Sequence, residues 1–236
     1  YLETGGSVLA LLDTELVNPQ TLNSKPVETG LDSWLLDYGI VVDKRIIFDN
    51  NCITVQAGVH QVKTSEGDRL IPIEAPYGFG VITEGEGLNI DHPITSALGS
   101  VVMFWAHPLE INQVHSSLDY EDLIMSSKQS WLLPSDSNLS MKPENIRELQ
   151  LSAYGSANPT SYPLAVAVSG AFGESNPGRL VVVGDSDLFH NVTLRGGGDT
   201  NKEFASNLVD WLANDIELIS LRSRGQRLRP LLDYAN

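Results

Sequence analysis

The apolar and polar positions of this chain fall into short extended runs interrupted by helical stripes. Residues 7–13, Ser-Val-Leu-Ala-Leu-Leu-Asp, are an apolar run opened by Gly5-Gly6 and closed by an acid, which predicts a core strand buried on both faces. After a polar loop holding Pro19 and Pro26, Leu31, Trp34, Leu35 and Tyr38 recur at helical spacing, and Gly39 follows where a left-handed C-cap is needed. Residues 40–48 are extended and apolar again. Strand, helix and strand in this order predict a parallel crossover unit.

Residues 50–90 are glycine-rich and polar, with short alternating segments at 53–56 and 69–73, and read as an insertion of small strands and loops. Residues 101–105 and 123–125 are further strand candidates, the latter leading into 126–131; 135–143 reads as a loop and 144–151 as a short helix. In the last third, 162–169 and 179–184 are apolar runs on either side of a Gly-Pro-rich turn and predict neighbouring antiparallel strands. Residues 201–213 place Phe204, Leu208, Trp211 and Leu212 on one stripe, so this helix packs on the sheet. No repeat occurs at solenoid periods. The expectation is one α/β domain over residues 1–236, a three-layer sandwich with a mostly parallel sheet, carrying its insertion at 50–90.

Charge narrows the partners. Thirty Asp plus Glu against 15 Lys plus Arg give a net charge of −15, which repels phosphate backbones and excludes nucleic acid as the expected partner. Arg222, Arg224, Arg227 and Arg229 reverse the sign locally. Cys52 is the single cysteine, so the chain forms no internal disulfide and no cysteine-rich metal cluster. No run is apolar enough to span a bilayer, and the start carries no signal-peptide pattern. Tyr1 is not an initiator Met, which suggests a piece of a longer polypeptide.

The most suggestive chemistry follows residues 181–183. Val-Val-Val there runs into Gly184-Asp185-Ser186-Asp187, and the C-terminal ends of strands in open α/β sheets are where ligands sit. Gly-Asp-Ser invites comparison with lipase-like hydrolases, in which a serine needs an imidazole base and an oxyanion pocket. No histidine follows His190, four residues beyond Ser186, so the Asp-x-x-His block of those enzymes is missing and the order is broken. The plainer reading makes Asp185 and Asp187 caps of the next turn. Asp13, Asp185 and Asp187 converging at one sheet edge are a ligand-binding candidate, or hard oxygen ligands for Mg²⁺ or Ca²⁺. The five histidines form no i, i+4 helical pair, so no zinc site is expected. His92 and His107 precede prolines and read as structural. Cys52 lacks a charged partner and reads as a small apolar residue. Gly196-Gly197-Gly198 lacks the P-loop lysine and hydroxyl and reads as a flexible loop. No cofactor is expected.

Several blocks, in order, resemble the auxiliary domain of ABC transport systems associated with gliding motility, a family related to the intraflagellar-transport type of α/β domain. They are Tyr1-Leu2 with Gly5-Gly6 leading into residues 8–13; Leu35 to Ile40; Asp91-His92-Pro93-Ile94-Thr95; Pro163 to Ala167; Arg179 to Asp187; and Asn201 through Phe204 and Asn207 to Trp211-Leu212-Ala213. The resemblance implies a flavodoxin-like fold, similar to class I glutamine amidotransferases but without their cysteine elbow. It also implies a periplasmic or otherwise extracytoplasmic domain, tethered by membrane helices before and after it and working beside an ABC permease and ATPase. It carries over no catalytic residues. The expected function is therefore a non-catalytic accessory domain binding a ligand or partner protein, with hydrolysis at Ser186 and divalent-metal binding at Asp185 and Asp187 as the alternatives.

Overall fold

The computed structural model describes residues 1–64, 67–156, 158–173, 176–196 and 198–227. In chain order the strands are β1 (Ser7–Leu11), β2 (Glu15–Val17), β3 (Ser24–Pro26), β4 (Ile40–Val42), β5 (Ile46–Asp49), β6 (Cys52–Thr64), β7 (Gly67–Glu84), β8 (Ser100–Phe104), β9 (Leu109–Ile111), β10 (Leu118–Met125), β11 (Ser130–Leu133), β12 (Pro163–Gly170) and β13 (Gly178–Val183). The helices are α1 (Leu31–Asp37), α2 (Pro143–Gly155), α3 (Asn191–Gly196), α4 (Gly198–Leu212) and α5 (Ile216–Arg227).

The principal sheet runs β1-β13-β12-β10, and only β1 and β13 are parallel. The remaining strand pairs among the described residues are antiparallel and divided among small sheets: β6-β7-β8, β11-β5, β2-β3 and β4-β9. The expected mostly parallel, flavodoxin-like three-layer sandwich is therefore wrong. One cause lies at residues 40–48, which are two strands and not one. Asp43 Oδ1 accepts the Arg45 N–H at 2.8 Å, and the Arg45 guanidinium grips the same carboxylate, so the chain turns there. β4 then joins β9 while β5 joins β11, and α1 bridges no parallel pair. The second cause is β10, which joins the principal sheet antiparallel to β12, while β12 and β13 make the antiparallel return expected of their short link. β1 is correspondingly an edge strand, buried at Ala10 but half-buried along most of its length, not enclosed on both faces.

Other local signals hold. α1 ends with Gly39 at φ +73°, where a Cβ would meet the Asn112 carbonyl oxygen at 1.9 Å, so glycine is required twice over. β12 and β13 pair antiparallel, and α4 buries Phe204, Leu208 and Trp211 against the sheet. On the opposite face of the same sheet, Val166, Val168, Leu180 and Val182 pack with Leu35, Ile40 and Leu109. A third cluster gathers Phe48, Tyr77, Phe79, Trp105, Trp131 and Ile146 of α2. Tyr77 anchors it, taking the Trp105 indole N–H at 3.0 Å and donating to the Leu139 carbonyl at 2.8 Å.

The segments at 53–56 and 69–73 belong to one long hairpin, β6–β7, whose pairing continues from Thr64↔Gly67 inward to Cys52↔Val81 with two bulges. Residues 59–61 and 67–74 are exposed on both faces of this ribbon. No helix among the described residues is long and apolar enough to cross a membrane. Gly196 ends α3 and Gly198 opens α4, while Gly197 lies outside the described residues. Arg222, Arg224 and Arg227 fall within α5, and Arg229 lies outside the described residues.

Candidate functional site

β1 and β13 run parallel side by side, so the residues following them emerge at the same sheet edge. That brings Asp13 to the Asp185-Ser186-Asp187 turn. Asp13 Oδ1 accepts the Ser186 N–H at 2.8 Å, and Asp13 Oδ2 accepts the Ser186 hydroxyl in a short bond. The one hydroxyl proton of Ser186 thus goes to a carboxylate. His190 closes the single 3-10 turn Asp187–Phe189 by donating its backbone N–H to the Asp187 carbonyl at 2.8 Å. With Asp187 and with Lys25 of β3 it lines a cleft of roughly 520 Å³ between the β2–β3 hairpin and the turn.

Asp185 points elsewhere. It is fully buried, and its Oδ2 accepts the Phe104 N–H at 3.0 Å. Two residues back on β8, Asn201 of α4 accepts from the Val102 N–H at 2.9 Å and donates to the Val102 carbonyl at 2.8 Å. The free edge of β8, whose other edge pairs with β7, is therefore closed by two side chains, one from the turn and one from α4. Asp185 Oδ1 is buried and has no hydrogen-bond partner. Burial, with Asp13 and Asp187 nearby, pushes its carboxyl well above the usual range and so favours the neutral acid. Burial and the Asp13 charge likewise push Asp187 up to about 6, with His190 opposing.

Asp13 and Asp187 share an electrostatic neighbourhood with Asp185, yet Asp185 faces the strand edge. No group of three or more His, Cys, Asp or Glu among the described residues is placed to hold a metal ion. What the arrangement does is local: it pins Ser186 to the end of β1 and ties the end of β13 to β8.

Sequence reasoning missed the partners that make this edge rigid. His107 is buried, bonds through Nδ1 to the Arg45 carbonyl at 3.0 Å and meets Thr14 Oγ1 at 3.1 Å, while its backbone N–H donates to the Gly184 carbonyl at 2.6 Å. Burial lowers its pKa. A Cβ on Gly184 would sit 2.0 Å from the His107 carbonyl oxygen, so this glycine marks a crossing of two backbones. His92 is buried and accepts the Ile94 N–H through Nδ1 at 3.2 Å; burial, then the Arg179 charge, lowers it to about 4. Cys52 is pushed up to about 11 by burial and by Asp49. The His-Pro dipeptides were the only sequence signal for the two histidines.

No curated protein matches the chain at a significant level. Among solved structures, the mmIFT52 N-terminal domain is similar with a TM-score of 0.47 and 14% identity, covering 90% of this chain and 67% of that one, a likeness too slight to bear on fold or function. At the level of families, the one described as an ABC-type uncharacterized transport system matches residues 1–215. Because that match takes in both strands of the Asp13–Ser186 clamp, the α4 contacts and the β6–β7 ribbon, the chain belongs to this family of ABC transport auxiliary domains.

Proposed function

We propose that this chain is a non-catalytic accessory domain that holds a protein of its own transport system outside the cytoplasmic membrane, and that it does so with the β6–β7 arm. The observation carrying this is the arm's surface. Opposed pairs Gly58↔Ile73 and His60↔Ile71 put Ile71 and Ile73 on one face, whereas Val59↔Pro72 and Gln61↔Leu70 put Val59 and Leu70 on the other. These four apolar side chains are 55% (Val59), 67% (Leu70), 51% (Ile71) and 37% (Ile73) exposed. A two-stranded ribbon alone in water is marginal at best, and unpaired strand edges with apolar faces are what a partner covers by adding strands or packing on them. A lipid surface offers no backbone groups to pair with those edges. Membership in an ABC transport family supports seeking the partner within the same transport system, and its permease and ATPase are the candidates.

The test is co-purification with the permease and ATPase of the same system. The double variant Leu70→Glu/Ile71→Glu is expected to abolish co-elution while leaving the circular dichroism spectrum and the melting temperature of the isolated chain unchanged. Co-elution of the variant at wild-type stoichiometry removes the arm from the proposal.

A further inference from the structure

The opposite end of the principal sheet carries a second cleft, of roughly 610 Å³, that neither the turn at Asp185 nor the arm involves. Its floor comes from strand register. Leu9, Val181 and Ala167 are partners across β1, β13 and β12, and they lie in the core cluster under α4. Two residues back along β1 and β13, the same face presents Ser7 and Arg179, with Ser169 opposite Arg179 on β12. Glu121, opposite Ala167 on β10, continues that floor outward and is exposed. Three adjacent strands thus change from apolar to polar side by side, where the helix above them ends.

The wall is the C-terminal end of α4. The Arg179 guanidinium lies 4.8 Å over the Trp211 ring, donates to the Trp211 carbonyl and donates to Asn214 Oδ1 at 2.7 Å. Asn214 itself takes φ +63°. These contacts cap the helix and hold the guanidinium plane fixed, but they use only two of its five N–H donors. No described carboxylate lies within ion-pair distance of Arg179. Asp91 lines the far wall beside His92, whose ring is 5.1 Å from Trp211. In a chain of net charge −15, Arg179 is a half-exposed cation held in one orientation with no described carboxylate paired to it, an arrangement suited to an anionic ligand.

We propose that this cleft binds a small monoanionic carboxylate that also carries hydroxyl or ammonium donors. Arg179 takes the carboxylate through its remaining N–H groups, a charge-assisted and geometrically specific contact. Glu121 and Asp91 take the donors, and their charge rejects polyanions such as phosphate esters. A uronic-acid sugar and the C-terminal end of a short peptide share this chemistry.

The experiment is a titration of the isotopically labelled chain, followed at the Arg179 Nε–H and Trp211 indole N–H resonances, with D-glucuronate, glycylglycine, neutral D-glucose and inorganic phosphate in turn. Saturable shifts with glucuronate or with glycylglycine, and none with glucose or phosphate, are expected, and the one that saturates names the source. Arg179→Lys is expected to weaken binding roughly tenfold or more, since an ammonium cannot reproduce the fork. Because that variant also disturbs the helix cap, Ser169→Asp supplies the second arm: it removes no atom of the Arg179–Trp211 contacts, sets a competing carboxylate opposite Arg179, and is expected to abolish the shifts. Absence of saturation with both carboxylates, equal shifts from phosphate, or an undiminished titration in Ser169→Asp overturns the proposal. None of these readouts depends on the arm or its partner.

Discussion

At Asp185 one carboxyl closes a strand edge and at the same time sits beside two other acids. Its hydrogen bond to the Phe104 N–H favours an acceptor, while burial and the charges of Asp13 and Asp187 favour the protonated form. Asp187, pushed up from 3.8 to about 6 by burial and Asp13, follows the same logic. A carboxyl raised in the folded state contributes stability that is present below its unfolded pKa and is lost as pH rises through the folded value. Urea unfolding of Asp187→Asn is therefore expected to lose the decline in stability that the wild type shows between pH 4 and 6. His92 works in the other direction, because its value falls from 6.5 to about 4. Its contribution is intact above 6.5 and is lost as pH drops toward 4, and His92→Asn, whose Oδ1 can take over the Ile94 N–H, is expected to flatten that acid limb. If both variants keep the wild-type pH profile, the electrostatic account of these two sites fails.

Elements differ in how much of the fold depends on them. α4 inserts Phe204, fully buried, between the principal sheet and its own flank, and Asn201 and Asn207 fix its height by bonding Val102 and the Ile94 carbonyl. Phe204→Ala is expected to cost about 3–5 kcal/mol, read from chemical denaturation, because both the transfer term and the cavity term apply. Replacing residues 59–72 of the β6–β7 arm by a two-residue Asn-Gly turn is expected to change stability by under about 1 kcal/mol, since surface residues outside the core contribute little. A larger loss would mean that the arm packs on the body. The contrast separates the element that builds the core from the one that reaches outward.

Across the whole molecule the charge of −15 works against compaction and has few internal counter-ions. Among the described residues the ion pairs Lys128–Glu86 and Lys202–Asp199 are well exposed and contribute little each, and Arg45–Asp43 pairs an exposed guanidinium with a half-buried carboxylate. Raising ionic strength from about 0.01 M to about 0.15 M shortens the screening length from about 30 Å to about 8 Å. The melting temperature is accordingly expected to rise with added NaCl, since screening relieves more self-repulsion than the exposed pairs lose in attraction. A melting temperature that falls over this range would show that those pairs outweigh the net charge.

The elements legible in the sequence are those whose cause is local. The α1 stripe with Gly39, the α4 stripe, and the β12–β13 return were fixed by side-chain periodicity and turn chemistry within a few residues. The blocks resembling the transport-system family were legible for the same reason, being short linear patterns. Which strands pair was not local. The Asp43–Arg45 turn divides an apolar run that reads as one strand, and the partners of the two halves, β9 and β11, lie far along the chain. At the candidate site, the sequence named Asp13, Asp185, Ser186 and Asp187. Only the tertiary structure decided that Asp13 accepts the Ser186 hydroxyl hydrogen bond while Asp185 turns to β8, because adjacency of two strand ends is a property of the sheet. The Arg179 cleft was hidden likewise. Ser7, Arg179 and Ser169 are unremarkable one by one, and become a polar floor only when three strands align them beneath the end of a helix.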